Sequence, residues 1–500
     1  MATLYYTSDM HSYLYDTDYV QKRKIKTGYF QLARHFDPDA LVIDGGDVLQ
    51  GSPLARQIHK TGFKTFVQAE AMNAAGVNVF VPGNHDFNFG YGVLKQFVSQ
   101  LDAHLVCANL RDASGSLAIE PWYIHTGKDG IRIGVVGVVT DYVNIWEDAQ
   151  NLGPMQILDS LKAAESALTE LRRQHVDYTV CVYHGGYDEN SHGNTRYREN
   201  RSTELAALGF DTLLTAHQHM KIDPTSLGDT MTMQCGSNAA WYAKLLFMKT
   251  GIDASLLASN EGAVFPHEML IEVEKRYMPL QEEILASLAG EIGRTEVPFE
   301  DTDKLESAVQ GSRLADFFNQ IQLTFSEADI SCVSLFNQPR SLGPLVTAGD
   351  ILAAYPFPNT LVVLEVDGVV LKNALERCAS YFSLNEERIQ INKDFLEPKI
   401  EHYNYDYYQN IDYGFSLRNQ VGQRVVKLSY QGRDLLKHPD VKLRLVMNNY
   451  RATGTGGYEM FLDCPVIQQY KTEVQDLLFR AFEKNAFIPV PPASCYFVRF

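Results

Sequence analysis

Gly83-Asn84-His85-Asp86 lies just past a short apolar run, residues 77–81. The run is rich in β-forming residues and is followed by a proline and a glycine, which predicts a buried strand. A glycine lets the backbone turn sharply, so three consecutive polar side chains can be presented from one strand end. The segment therefore predicts a functional loop at the carboxyl end of a strand.

Four other segments repeat this arrangement after runs of the same kind, residues 3–6, 40–43, 178–182 and 210–214. These segments are Thr7-Ser8-Asp9-Met10-His11, Gly45-Gly46-Asp47, Tyr183-His184-Gly185-Gly186 and Thr215-Ala216-His217-Gln218-His219. In open α/β sheets, ligands bind beyond the carboxyl ends of the strands. The pattern therefore predicts an α/β fold in which the five loops converge.

Each segment taken singly has an ordinary structural explanation. An Asp-x-His pair at a strand end is commonly a turn, because Asp favours turns, and a single buried histidine such as His184 is commonly a core residue. His217 and His219 would share one face of an extended segment. Five such segments together favour a metal site. The mixture of imidazole, carboxylate and one amide suits Mn, Zn, Fe or Co better than a thiolate site or an all-oxygen Mg or Ca site.

In this order, the five segments resemble the calcineurin-like metallophosphoesterase superfamily, and the whole chain is similar to its nucleotidase branch. The resemblance implies a four-layer αββα sandwich domain followed by a smaller α/β domain that binds the nucleoside. It also implies two divalent metal ions and a shared carboxylate that holds them about 3.5–4 Å apart. By this resemblance, one metal would be held by Asp9, His11 and His219, the other by Asn84, His184 and His217, and Asp47 would bridge them.

Within this branch, three features resemble the 2′,3′-cyclic-nucleotide 2′-phosphodiesterase/3′-nucleotidase group. They are residues 7–19, residues 46–53 and Asn88. The 5′-nucleotidases usually carry an Asp at the position of Asn88, where it orients the catalytic histidine. The resemblance implies that His85 is this catalytic residue and that position 88 offers it no carboxylate. Asp86 is the alternative partner.

The length of 500 residues exceeds what one hydrophobic core usually supports, which predicts two domains. We expect a catalytic domain over residues 1–262, a connector helix within 263–295 and a substrate-binding domain over 296–500. Apolar periodicity predicts helices at residues 155–175 and around 312–325, and the charged stretch 267–290 predicts the connector helix.

The net charge and the composition limit the binding partners and the compartment that we expect for this protein. The formal net charge of −17 argues against binding of a nucleic-acid polymer, so we expect a small-molecule nucleotide as the partner. No uncharged stretch approaches the roughly 20 residues of a membrane span. The amino terminus shows no signal-peptide pattern, and seven scattered cysteines without C-x-x-C spacing are typical of reduced thiols. We therefore expect a cytoplasmic protein, and the oligomeric state stays open.

Two aromatic segments in the second half bear on nucleoside binding. Residues 355–360 contain Phe357, and residues 448–452 contain Tyr450 ahead of a glycine-rich run. By the resemblance, these two rings sandwich the base, and stacking is worth about 1–3 kcal/mol per base. Residues 334–340 match a loop with polar substrate contacts, for which Asn337 and Arg340 are the candidates. For all four residues the alternative is a structural role.

The resemblance implies hydrolysis of nucleoside phosphates by a metal-bound hydroxide. His85 would stabilise charge on the phosphoryl oxygens and protonate the leaving oxygen. Two alternatives share this site, a 5′-nucleotidase and a nucleotide-sugar hydrolase. An inactive nucleotide-binding module is a further alternative, disfavoured because every expected metal ligand is present. A protein-phosphatase-like or phospholipid-acting enzyme is disfavoured by the second domain.

Overall fold

The computed structural model describes residues 1–19, 23–62, 64–188, 199–300, 303–357, 359–386, 388–397 and 399–500. The chain divides into two compact units, Met1–Leu285 and Ala286–Phe500. Both units combine helices with β-sheets, so the predicted α/β class is confirmed. The finer division at residues 262 and 295 stays a prediction.

The first unit contains two large sheets. In the described residues of one sheet, seven strands lie in the order Gly251–Ala258, Trp241–Met248, Ala2–Thr7, Leu41–Asp44, Val79–Phe80, His104–Val106 and Ile119–Glu120. The second sheet has, in the same described part, the six strands Lys221–Leu227, Thr230–Cys235, Thr212–Thr215, Tyr178–His184, Arg132–Val139 and Trp122–Thr126. The five predicted strands are central in these sheets, and the neighbours among them pair in parallel.

The inner faces of the two sheets form one core. Side chains alternate across a strand with a period of two, so every second residue points inward. The inward residues include Leu4, Ile43, Val79, Val135, Val180 and Leu214. Helices cover the outer faces: Leu168 and Leu171 of the helix Ser160–Arg173 pack in one cluster with Val136 and Cys181. On the other sheet, the Phe97 ring of the helix Tyr91–Val98 contacts Phe80. The layers are therefore helix, sheet, sheet and helix, as predicted.

The helix predicted over residues 155–175 was wrong at its start. Met155–Ile157 is a strand that pairs with Leu110–Asp112, and the helix Ser160–Arg173 begins only after Asp159. The Asp159 carboxylate accepts a hydrogen bond from the Lys162 backbone amide, which caps the helix there. Leu158 therefore lies outside the helix.

The described residues of the first unit form six further α-helices. They are Tyr29–Leu32, Pro53–Thr61, Val67–Ala74, Val143–Trp146, Ala149–Leu152 and Ser202–Ala206. The helix Glu268–Ala289 spans the boundary between the two units, close to the predicted range 267–290. In the described parts of the chain, no helix is both long and apolar enough to cross a membrane.

The second unit is built on a five-stranded sheet. Its described strands lie in the order Asp406–Gln409, Ile330–Ser334, Leu443–Asn448, Thr360–Val366 and Val466–Glu473. Smaller sheets are formed by Arg433–Asp434, Val425–Tyr430, Asp412–Ser416 and Cys495–Arg499, by Leu345–Thr347, Glu291–Thr295 and Phe487–Ile488, and by Phe382–Asn385 with Arg388–Ile391. The helices are Lys304–Gln310, Arg313–Ser326, Ala348–Ala354, Gly368–Ala379, Asn449–Ala452 and Val474–Lys484. The helix expected around residues 312–325 is Arg313–Ser326, with Ser312 as its cap.

Candidate dimetal site

The five loops of the first unit bring their polar side chains into two overlapping groups. Each group offers ligand atoms that lie within 4.8 Å of one another. One group is Asp9, His11, Asp47 and His219, and the other is Asp47, His184 and His217. Asp47 belongs to both. These residues come from strands of both sheets, so the site lies where the carboxyl ends of the two sheets meet.

In the first group, the ring of His11 is fixed by a backbone carbonyl. Its Nδ1 lies 2.8 Å from the carbonyl oxygen of Gln50, which can only accept, so Nδ1 carries the hydrogen. The Nε2 atom is left with a lone pair, and it lies 2.9 Å from Nε2 of His219. Oδ1 of Asp9 is 3.6 Å from the same atom of His219. Three potential ligand atoms therefore face one another.

The second group is oriented in the same way. Nδ1 of His184 donates to the carbonyl oxygen of Gly45, so Nε2 is the ring nitrogen that could bind a metal ion. That Nε2 lies 3.2 Å from Oδ1 of Asn84, and Nδ1 of His217 lies 2.9 Å from the same oxygen. Asn84, which the resemblance assigns to the second metal, therefore lies with both histidines.

The surroundings of the Asp47 carboxylate indicate whether this cluster is suited to binding metal ions. Its Oδ1 accepts the backbone N–H of His85 at 2.8 Å. Its Oδ2 is fully buried and makes no hydrogen bond among the described residues. This Oδ2 lies 3.3 Å from Nε2 of His184 and 3.9 Å from Nε2 of His11. A buried, unsatisfied carboxylate oxygen between two imidazole nitrogens fits a carboxylate that bridges two divalent ions.

The pKa shifts of the candidate ligands reflect the burial of several ionisable groups at this site. Burial raises the pKa of Asp9 to about 7 and lowers the pKa of His11 to about 4. Burial also opposes ionisation of Asp47, but the imidazoles of His184 and His85 hold the pKa of its carboxyl well below its usual range. Divalent cations would supply the positive charge that such buried carboxylates require.

The backbone is strained at most of the candidate ligands. Five of them have φ values in the left-handed region, which residues other than glycine rarely adopt. They are Asp9 at 52°, His11 at 47°, Asp47 at 58°, His217 at 69° and His219 at 58°. Such conformations cost about 1–3 kcal/mol each and persist where the surrounding fold enforces them, as at functional sites.

Gly83 has a packing role in addition to its turn. A Cβ atom at this position would lie 2.2 Å from Oδ1 of Asp47 and 2.4 Å from Cε1 of His184. Both distances are shorter than real Cβ contacts allow, so only glycine lets this loop pass the two side chains. The close packing holds Asp47 and His184 in place from one side.

His85 is held by hydrogen bonds from its ring and from its backbone N–H. Its Nδ1 donates to Oδ1 of Asn88 at 2.7 Å, and its backbone N–H is bound by Asp47. The Asp86 carboxylate is occupied elsewhere, by the backbone N–H groups of Gly83, Asp47, Val48 and Leu49. Asn88 is therefore the residue that contacts His85, whereas Asp86 holds two loops of the site together.

Two residues at the site were missed by sequence reasoning. Oε1 of Glu199 accepts a hydrogen bond from Nε2 of His217 at 2.8 Å, which orients the ring and leaves Nδ1 with the lone pair. The Trp146 ring stacks on His217, with centroids 5.2 Å apart and planes 28° apart. Both residues lie outside the strand-end segments, so no local pattern marked them.

In the second unit, the segments of Phe357 and Tyr450 lie at one end of the same strand pair. The strands Thr360–Val366 and Leu443–Asn448 are antiparallel, with Leu361 opposite Asn448. The backbone N–H of Thr360 donates to Oδ1 of Asn449 at 3.0 Å, which joins the two segments. Phe357 is 42% exposed, and its ring contacts Phe336.

Asn337 and Arg340 both have partners within the second unit. Asn337 donates to the carbonyl oxygen of Ile400 at 2.7 Å and accepts from the backbone N–H of His402 at 3.0 Å. Nε of Arg340 lies 3.0 Å from Oδ1 of Asp350. These contacts fit the structural alternative, and a role in substrate binding stays a prediction.

A buried ion pair next to Tyr450 was also missed. Nε of Arg451 lies 2.9 Å from Oδ2 of Asp406, and both side chains are almost fully buried. The Arg451 guanidinium also donates to the carbonyl oxygens of Tyr403 and Thr455. Arg451 thereby connects residues 403–406 with the glycine-rich run.

Two families match the chain in succession. The calcineurin-like phosphoesterases match residues 2–221, and the 5′-nucleotidase C-terminal domains match residues 291–463. The first match contains all five strand-end segments, and the second contains Phe357 and Tyr450. The order and content of both matches confirm the predicted family.

Three known proteins show what the chain is similar to. The chain is 21% identical over 94% of its length to the trifunctional nucleotide phosphoesterase protein YfkN of Bacillus subtilis, of which it spans 37%. It is 23% identical over 90% of its length to the 2′,3′-cyclic-nucleotide 2′-phosphodiesterase/3′-nucleotidase of Haemophilus influenzae, of which it spans 79%. A candidate 5′-nucleotidase of Staphylococcus aureus, crystallised with α-ketoglutarate, has a TM-score of 0.88 at 27% identity, with 100% of both chains covered.

The geometry and the similarities agree on the class of reaction. Relatives and families are phosphoric ester hydrolases, and the Asp and His cluster offers ligands for two metal ions. The chain therefore belongs to the calcineurin-like phosphoesterases that carry a 5′-nucleotidase C-terminal domain, a family of hydrolases that use two divalent metals.

Proposed function

We propose that this chain hydrolyses nucleoside phosphates and that 2′,3′-cyclic nucleotides are its preferred substrates. Water would attack the phosphorus and break the bond to O2′, which leaves a nucleoside 3′-phosphate. A second hydrolysis would break the bond to O3′ and release the nucleoside and phosphate. The observation that carries this choice is the amide of Asn88 on His85, at the position where 5′-nucleotidases usually carry an Asp.

The proposed metal ligands follow the two groups of side chains. One ion would be held by Asp9, His11 and His219, the other by Asn84, His184 and His217, and Asp47 would bind both. When bound, two such ions lower the pKa of water and hold phosphate oxygens. The histidines would bind through the ring nitrogen that does not donate to a carbonyl or a carboxylate, which is Nε2 of His11 and His184 and Nδ1 of His217.

We assign proton transfer to His85. The hydrogen bond from its Nδ1 to Asn88 fixes the plane of the ring, and the backbone bond to Asp47 fixes its position. A protonated imidazole held next to the two metal ions would stabilise negative charge on the phosphoryl oxygens. It could also give its Nε2 proton to the leaving ribose oxygen.

We assign base recognition to Phe357 and Tyr450 in the second unit. The exposure of Phe357 and the link between the two segments support this assignment. Stacking on aromatic faces accepts any base, since every base has a π-face. We therefore expect broad base tolerance.

The main alternative function is that of a 5′-nucleotidase with the same metal site. The Staphylococcus aureus structure supports it, because that protein is a candidate 5′-nucleotidase and matches the whole chain. A nucleotide-sugar hydrolase would use the same metals. The three hypotheses differ in which phosphate group of the substrate binds at the metal site.

A substrate panel with purified protein and added Mn²⁺ tests the choice. We expect the highest kcat/KM on 2′,3′-cyclic AMP, lower activity on 3′-AMP and little on 5′-AMP or UDP-glucose. Protein carrying Asp47→Asn, purified in parallel, measures any contaminating phosphatase. Higher activity on 5′-AMP than on 2′,3′-cyclic AMP would replace this proposal with the 5′-nucleotidase.

We further propose that the protein works in a reducing compartment such as the cytoplasm. All seven cysteines are free, and five of them are buried. Free buried thiols are typical of reducing compartments. Equal thermal stability with and without a thiol reductant supports this proposal, whereas loss of stability on reduction contradicts it.

A further inference from the structure

His85 is linked through Asn88 to a glutamate that the reaction scheme does not use. Nδ2 of Asn88 donates to Oε2 of Glu147 at 2.7 Å, while Oδ1 of Asn88 accepts from Nδ1 of His85 at 2.7 Å. Glu147 lies between two short helices, Val143–Trp146 and Ala149–Leu152. Residue 147 is therefore a neighbour of the catalytic histidine in space, although it is remote in sequence.

The side chain of Glu147 is itself held in place. Its Oε1 accepts from Nδ2 of Asn151 at 2.7 Å and from the backbone N–H of Asp148 at 3.0 Å. Nδ2 of Asn151 also reaches the backbone carbonyl of Asn88 at 3.1 Å. Burial raises the pKa of Glu147, and these donors together with Asn88 act in the opposite direction. All three donors require an acceptor, which the carboxylate provides.

We propose that Glu147 is a positioning residue that sets the tautomer of His85 by fixing the orientation of the Asn88 amide. This proposal rests on the proposed phosphoesterase function of the site. An Asn side chain has an oxygen at one corner and an NH₂ at the other, and its neighbours decide which way it points. A carboxylate on one side accepts only from the NH₂ group.

The consequence for His85 follows from the hydrogen-bond rules. With its NH₂ group on Glu147, Asn88 must present its oxygen to Nδ1 of His85, so Nδ1 must carry a hydrogen. The other ring nitrogen, Nε2, is then the atom that exchanges the reacting proton. If Asn88 turned over, its NH₂ group would face Nδ1 and would favour the opposite tautomer. Glu147 prevents this, because a carbonyl oxygen facing the carboxylate would be repelled.

Three variants separate this role from simple packing. Glu147→Gln has the same size but can accept or donate, so the Asn88 amide loses its fixed direction. Asn88→Asp places a second carboxylate against Glu147. The double variant Asn88→Asp/Glu147→Gln restores every donor and acceptor, because the new Asp accepts from both His85 and the new Gln, and the net charge equals that of the original chain.

We expect each single variant to lower kcat by about 10-fold to 100-fold, as is found for residues that orient metal-binding histidines. KM should change little, since Glu147 is assigned no contact with substrate. The double variant should regain at least about 10-fold over the weaker single variant. The matched control is Asp148→Asn, which removes the neighbouring carboxylate and keeps an N-cap for the helix Ala149–Leu152. It should retain the original kcat.

The measurements are kcat and KM with Mn²⁺ on 2′,3′-cyclic AMP and on bis(p-nitrophenyl) phosphate, with thermal unfolding of each variant as a check of folding. If the unchanged protein cleaves only the p-nitrophenyl ester, the nucleotide assignment fails, and the variants are still compared on that ester. If Glu147→Gln does not fold, Glu147→Asp replaces it, because a shorter carboxylate withdraws from Asn88 while the charge is kept. Full kcat in the single Glu147 variant, or a double variant no faster than the weaker single one, overturns the proposal.

Discussion

Oδ2 of Asp47 lies 3.3 Å from Nε2 of His184 and forms no hydrogen bond with any described residue. A buried oxygen without a partner normally costs about 1–3 kcal/mol. Here the surrounding fold fixes it with the backbone of Asp47 at a positive φ of 58°. The strain and the unsatisfied oxygen have a common explanation if two metal ions bind at this carboxylate.

Asp47→Asn tests the bridge. The amide keeps the size of the side chain and can still accept from the His85 backbone, so we expect the fold to survive. A neutral amide is a poor bridge between two cations, so metal content should fall and kcat/KM should drop by several orders of magnitude. Metal analysis of the purified protein and steady-state kinetics measure both effects, with the exposed Asp39→Asn as the control. A variant that keeps two metals and its rate removes Asp47 from the site.

Gly83→Ala tests the packing that holds Asp47 and His184. The added methyl group would lie 2.2 Å from Oδ1 of Asp47, so the loop or the carboxylate must move. A displacement of about 1 Å at a catalytic centre can cost 10²-fold in rate. We expect a loss of that order in kcat/KM together with weaker metal binding. Gly92→Ala is the matched control, because nothing lies within 4 Å of the added atom. Equal kinetics for both variants would contradict the close packing.

Glu199→Gln tests the orientation of His217. The Glu199 carboxylate holds the ring through Nε2 and makes Nδ1 a stronger ligand. A neutral acceptor keeps the geometry but not the charge, and we expect a loss of about 10-fold to 100-fold in metal affinity or rate. Titration of the metal-free protein with Mn²⁺, followed by activity, gives the affinity. Glu204→Gln, which removes a partner of Arg201, serves as the control. An unchanged titration would show that Glu199 does not support a ligand.

The site residues that were predicted from the sequence lie in short segments, each directly after a strand. A short, β-rich apolar run and a polar loop directly after it are adjacent in sequence, so Asp9, Asp47, Asn84 and His184 could be found without a structure. The strand order could not be read in this way, but the parallel strands bring these loops to one edge. Convergence of the predicted ligands therefore follows from topology and strand-end chemistry.

The part that was missed depends on contacts between distant residues. Asn88 and Glu147 are 59 positions apart, and Arg451 and Asp406 are 45 positions apart. Nothing near Glu147 in sequence distinguishes it from a solvent-exposed glutamate. The helix predicted from residue 155 failed for a related reason, because apolar spacing alone did not reveal the cap at Asp159 or the strand before it.

The aromatic pair of the second unit gives the last prediction. Replacing Phe357 or Tyr450 with Ala removes one stacking face worth about 1–3 kcal/mol, so KM for nucleotides should rise by roughly 10-fold to 100-fold. Turnover of p-nitrophenyl phosphate, which carries no base, should change little. Phe487→Ala is the matched control, because Phe487 is an exposed phenylalanine of the same unit, at 56%. Kinetics on 3′-AMP and p-nitrophenyl phosphate for all three variants decide the matter. If both substrates are affected equally, Phe357 and Tyr450 serve the structure of the second unit, and the base binds elsewhere.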